Sequence, residues 1–107
     1  MNKIRFKEIA NLEYGKGLPA REREDGEYPV YGSNGVVGYH EKYYVTGPVI
    51  IIGRKGSIGE VKYSKKSCWP IDTTYYISNN ETDTCLRYLY YLLKNANLEK
   101  LGSHSAV

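Results

Sequence analysis

The sharpest pattern along the chain is Pro48-Val49-Ile50-Ile51-Ile52, apolar at consecutive positions, β-branched, and bounded by Gly47 and Gly53. A strand with one face in water alternates, so a run without alternation predicts a strand buried on both faces, at the centre of the core. Gly53-Arg54-Lys55-Gly56-Ser57 follows as a glycine-bracketed turn with Arg54 and Lys55 at its tip. The alternation of Ile58-Gly59-Glu60-Val61-Lys62-Tyr63 then predicts a half-buried returning strand. Upstream, Tyr28-Pro29-Val30-Tyr31 predicts a short strand running into Gly32-Ser33-Asn34-Gly35. Asn-Gly there signals a tight turn, and Val36-Val37-Gly38-Tyr39 leaves it as the second arm of a hairpin. Trp69 to Ile77 is a further β-rich stretch, with Pro70 at its entrance, where a missing N–H does least harm. From Thr82 the period changes. Thr82, Asp83 and Thr84 are capping types, and Cys85, Leu86, Leu89, Leu92, Leu93 and Ala96 form a helical stripe that ends before Gly102. Phe6, Ile9 and Ala10 have the spacing of one or two helical turns, broken by Gly15-Lys16-Gly17-Leu18-Pro19.

Ten of the eleven glycines lie between Gly15 and Gly59, which divides the chain into a turn-rich front and a helical back. Its 107 residues are enough for one domain and one core. Hydrophobic residues at 41% and charged residues at 25% are those of a globular protein, not of a disordered tail. No stretch approaches the ~20 apolar residues of a membrane span, and Met1-Asn2-Lys3-Ile4-Arg5 does not begin a signal peptide. A cytoplasmic protein without a membrane partner is therefore expected. Cys68 and Cys85, with no CxxC spacing and only His40 and His104 to accompany them, predict neither a zinc site nor a disulfide but reduced thiols in or near the core.

Two features depart from the average. Twelve of the fourteen aromatic residues are tyrosine, which offers flat apolar area together with a hydroxyl. Most fit half-buried strand positions. The charge is also local: Lys42, Arg54, Lys55, Lys62, Lys65 and Lys66 stand against Glu60 alone, an excess greater than the net +3 of the whole chain. Arg21 to Glu27 runs the other way, with Glu22, Glu24, Asp25 and Glu27. A basic block interleaved with Tyr and Gly suits an approach to phosphates.

The glycines of Gly53-x-x-Gly56-x-x-Gly59 match neither GxGxxG nor GxxxxGK[ST], and no nucleophile has a neighbouring base. One catalytic arrangement survives: Glu60 and Lys62 on one face of a strand, with Asp72 on a neighbouring strand, resemble the acids and lysine of a magnesium nuclease. The chain order is reversed from the usual one, and a cross-strand ion pair accounts for the same residues. A reader of nucleic acid uses these residue types more naturally. Arg pairs with guanine, Asn with adenine, and Lys, Ser, Thr and turn amides hold phosphates. The residue types alone leave open whether Asn34 simply fills a turn and Arg54 and Lys55 are merely solvated.

Pro29-Val30-Tyr31-Gly32-Ser33-Asn34-Gly35, Gly38-Tyr39-His40, Ile50-Ile51-Ile52-Gly53-Arg54-Lys55-Gly56-Ser57 and Trp69-Pro70-Ile71-Asp72-Thr73-Thr74-Tyr75-Tyr76, in that order, resemble the target recognition domain of type I restriction-modification specificity subunits. Gly15-Lys16-Gly17-Leu18-Pro19 and Gly102-Ser103-x-Ser105-Ala106-Val107 are similar to that family's pattern too. The resemblance implies an α+β fold: a small twisted, mainly antiparallel β-sheet domain with a C-terminal helix. It implies a non-catalytic, sequence-specific reader of double-stranded DNA that directs the methylation and restriction subunits of a bacterial host-defence complex. No cofactor is expected in this chain; S-adenosylmethionine, ATP and magnesium belong to the partner subunits. The DNA face is expected at Ser33, Asn34, Arg54, Lys55 and Ser57, together with Tyr39, Lys62, Thr73 and Tyr75. The family's pattern continues beyond Val107, so residues 1–107 are expected to be a single, incomplete recognition domain. The Leu-rich face of Cys85 to Leu101 is then only partly covered and favours a homo-oligomer. Two alternatives remain: the nuclease built on Glu60, Lys62 and Asp72, and a fragment that regulates an intact complex by binding a partner.

Overall fold

Every residue of the strand Val49–Gly53 is buried in the computed structural model of the chain, which describes residues 12–78 and 85–95. This strand, β4, lies inside a four-stranded antiparallel sheet. Its neighbours are β5 (Val61–Ser64) on one side and β7 (Thr74–Ser78) on the other, with β1 (Glu13–Tyr14) beyond β7. Ile50 and Ile52 point to one face, where Val61, Ile77 and the helix residues Leu86, Leu89 and Leu93 complete a core cluster. Val49 and Ile51 point to the other, against Val45 and Cys68 with Tyr31 and Tyr76 beside them. The absence of alternation thus has its expected cause: the sheet is covered on both sides.

The first cover is helix α1 (Leu86–Asn95), whose Leu86, Leu89 and Leu93 are buried at i, i+3 and i+7. Of the leucine face expected from Cys85 to Leu101, Leu86, Leu89 and Leu93 are covered and Leu92 is partly buried, while the part beyond Asn95 lies outside the described residues. What α1 exposes instead is Tyr88 and Tyr91. The second cover is a three-stranded sheet in which β2 (Tyr28–Gly32) pairs antiparallel with β3 (Gly35–His40) and parallel with β6 (Trp69–Pro70). The architecture is α+β and mainly antiparallel, as expected, with that one parallel pair. Among the described residues no helix is long and apolar enough to cross a membrane.

Several local expectations shift. The hairpin turn is Ser33-Asn34, one residue earlier than Asn-Gly predicts, because Gly35 already pairs with Gly32 at a φ of 125° that glycine tolerates. The register steps between Val30 and Tyr31, which leaves a bulge in β3. The returning strand starts only at Val61, and Ile58 is 43% exposed in the preceding loop. The stretch from Trp69 to Ile77 is two strands in different sheets, since the chain crosses between layers at Ile71-Asp72-Thr73. Thr74 closes that crossing by donating both its N–H and its hydroxyl to the Ile71 carbonyl, at 3.0 and 2.8 Å.

The two cysteines separate. Cys68 is fully buried, as expected, and burial pushes its thiol up to about 12. Cys85 is exposed, contrary to expectation, because it precedes the first turn of α1 rather than joining its buried stripe. Its thiol is lowered by hydrogen bonds from the backbone N–H groups of Tyr88 and Arg87. The stripe's Ala96, the capping types at residues 82–84, Gly102, and the turn expected at Phe6, Ile9 and Ala10 lie outside the described residues.

Candidate nucleic-acid interface

Four segments, three of them marked by glycine, converge at one end of the two sheets. Ser57 N–H donates to the Ser33 hydroxyl at 3.4 Å, so the β4–β5 loop meets the β2–β3 turn. The root of that loop is tied to the β6–β7 crossing, where the Thr73 carbonyl accepts from Arg54 N–H at 2.8 Å and Lys55 N–H at 3.1 Å. The segment after β1 joins them through Gly15 N–H to the Thr74 carbonyl at 2.9 Å and Lys16 N–H to the Pro70 carbonyl at 3.0 Å. Glycine is demanded twice by proximity rather than by turn geometry: a Cβ at Gly53 would overlap the Ser57 carbonyl, and one at Gly15 would overlap the Ile71 carbonyl.

This end gathers most of the residues expected from the sequence. Ser33, Ser57 and Thr73 are half-buried within it, while Asn34 and Lys55 project from it exposed. Lys62 on β5 reaches back toward the hairpin, its ε-carbon 4.0 Å from where a Cβ would stand on Gly35. Tyr39 stands apart. It is 54% exposed on β3, opposite Pro29 and three pairs removed from the turn.

Arg54 does not project from the tip. It follows directly on β4, half-buried, with its guanidinium carbon 4.9 Å from the centroid of the Tyr14 ring and 5.8 Å from that of Tyr75. Those two rings stack on each other at 5.3 Å. One terminal nitrogen of Arg54 donates to the Asp72 carbonyl, and Nε is buried without a hydrogen-bond partner. Tyr75 belongs to this stack and also packs against the helix-side core.

The basic block divides. Lys55 and Lys62 stay at the loop end, whereas Lys65 and Lys66 follow the far end of β5, where Lys66 Nζ donates to the Glu27 carbonyl at 3.0 Å in the acidic segment. Lys62 and Lys65 are three residues apart along β5, a separation of about 10 Å. Lys16 joins the loop end through its backbone, and its side chain lies back over the rings of Tyr44 and Trp69. Its Nζ lies 5.7 Å from the Tyr44 ring centroid and 6.0 Å from that of Trp69, whose indole N–H donates to the Lys16 carbonyl at 2.9 Å. Lys16 and Tyr14 were not among the residues expected at the site. The bracketing of Lys16 by Gly15 and Gly17 marked it in the same way as the other tips; nothing in the sequence marked Tyr14.

The nuclease arrangement does not assemble. Glu60 and Lys62 do meet, at 3.8 Å, but Lys94 of α1 also approaches Glu60 at 3.9 Å, so the carboxylate faces two ammonium groups. Asp72 is on no strand; it lies in the β6–β7 crossing beside Gly17, and β4 separates β7 from β5. Among the described residues no three His, Cys, Asp or Glu side chains gather in a way that holds a metal ion.

A cluster of loops carrying Asn, Ser, Thr and Lys, joined at one end of two packed sheets, is the kind of surface on which functional residues sit. The chain belongs to the family of type I restriction modification DNA specificity domains, whose model matches residues 1–106. Members of that family recognise DNA sequence and are not the catalytic part of the system. Two solved structures share the fold. The S subunit of a type I restriction-modification system from M. genitalium superposes with a TM-score of 0.76 at 20% identity, over 89% of this chain and 27% of that one. The HsdS subunit from Thermoanaerobacter tengcongensis gives 0.64 at 17% identity, over 97% of this chain and 29% of that one. The chain therefore spans less than a third of either subunit. A search of curated protein sequences found no match.

Proposed function

We propose that the loop end of this domain docks on double-stranded DNA and reads one half of a bipartite target on behalf of a type I restriction-modification complex. Asn34 presents its amide to base edges, Lys55, Lys62 and Lys16 meet phosphates, and Ser33, Ser57 and Thr73 hold the loops that carry them. The observation that carries the reading is the junction of the β2–β3 turn with the β4–β5 loop through Ser33 and Ser57, because it turns two separate tips into one surface. Methylation and restriction belong to partner subunits, which supply the sites for S-adenosylmethionine, ATP and magnesium. This chain sets where they act.

Binding to duplex DNA across a salt series tests the reading. With ~4 phosphate contacts, log affinity should fall against log salt with a slope of about −3.6. The purified chain should neither cut nor methylate DNA with magnesium and S-adenosylmethionine present. Salt-independent affinity, or no affinity at low salt, would refute the reading.

A further inference from the structure

Arg54 anchors the loop end by its side chain to three separate segments. Its guanidinium covers the stacked rings of Tyr14 from β1 and Tyr75 from β7, both within the ~6 Å over which a cation is attracted to a ring face. It also donates to the carbonyl of Asp72 in the β6–β7 crossing. The adjoining backbone is fixed to the same crossing, through the two N–H groups that share the Thr73 carbonyl. The root of the β4–β5 loop is thus held twice, once by main chain and once by this side chain.

The same geometry limits what Arg54 offers a ligand. A guanidinium meets guanine bidentately along one of its edges. The Nε edge is closed, since Nε is buried with no partner. A planar, delocalised cation can lie flat on a ring and donate from its edge at once; a compact ammonium of equal charge has no flat face with which to do so.

We propose that Arg54 is a positioning residue for DNA reading: it clamps the β4–β5 loop onto the Tyr14–Tyr75 stack and so sets sequence preference without itself touching DNA. The inference rests on the DNA-reading function proposed above. It gives the arginine in Gly53-Arg54-Lys55-Gly56 a different task from the neighbouring lysine, which projects freely.

Selection from a random duplex pool, run in parallel on the wild-type chain, Arg54→Lys and Tyr14→Leu, tests it. Arg54→Lys keeps the charge, so its affinity for non-selected duplex and its salt slope should match the wild type. Its preference should weaken at every base pair the wild type reads, with the specific-to-nonspecific ratio falling about tenfold or more. Tyr14→Leu removes an exposed ring at little risk to folding and should weaken preference with the same broad pattern. Three results would overturn the inference: an unchanged selection profile in Arg54→Lys, relaxation at a single base pair, which marks a direct base contact, or a normal profile in Tyr14→Leu. Absence of duplex binding by the wild-type chain would instead overturn the proposed function, and the inference with it.

Discussion

The backbone N–H of Ser57 donates to the hydroxyl of Ser33 across 3.4 Å and joins the β4–β5 loop to the β2–β3 turn. The bond is long, and a neutral bond of this kind contributes about 0.5–1 kcal/mol. Ser33→Ala should therefore lower the urea midpoint only slightly. It should weaken duplex binding more than it weakens the fold, with an unchanged salt slope, because it loosens two tips and removes no charge. Parallel urea and anisotropy titrations check both halves of the expectation.

Lys55 and Lys66 belong to one basic block in the sequence but to opposite ends of the structure. Lys55→Ala should make the salt slope shallower by about 0.9, the share of one phosphate contact. Lys66→Ala should leave the slope unchanged while freeing the Glu27 carbonyl. Equal effects of the two substitutions would contradict the assignment of the DNA face to the loop end.

Gly53 and Gly38 should differ sharply in tolerance. A methyl at Gly53 meets the Ser57 carbonyl, which is backbone and cannot turn aside, whereas at Gly38 the nearest atom is the flexible Arg23 side chain at 3.5 Å. Gly53→Ala should cost at least the ~1–3 kcal/mol of an overpacked site, and Gly38→Ala should stay within ~1 kcal/mol of wild type. Thermal melts of both variants provide the comparison.

The buried thiol makes stability fall in alkali. Unfolded thiols titrate near ~8.5, while burial raises Cys68 to about 12, so above pH ~8.5 the unfolded chain loses a proton that the folded chain keeps. The stabilisation present below that pH is lost progressively up to about pH 12. The total is on the order of a few kcal/mol. Tyr31, also raised by burial, adds to the loss above the usual tyrosine range. Urea midpoints should decline from about pH 8.5, and Cys68→Ala should flatten the first part of that decline. At neutral pH iodoacetamide should modify Cys85 in the native protein and spare Cys68 until the chain unfolds.

What the sequence determined by itself is what depends on local period. The unbroken apolar run of β4 announced burial on two faces, the leucine spacing announced the buried stripe of α1, and glycine pairs announced the tips near Ser33 and Lys55. Each of these reports whether a residue faces water, and side-chain period carries that information. Only the tertiary structure decided which tips share a surface. It also decided that β4 and β5 carry the basic block to two opposite ends, that Trp69 to Ser78 serves two sheets, and that Arg54 lies on Tyr14 rather than in solvent. These outcomes depend on strand order and on contacts between residues far apart in the chain. A pattern of hydrophobic and polar positions is unchanged when the order of strands changes, so it names the faces that must be covered and leaves open what covers them.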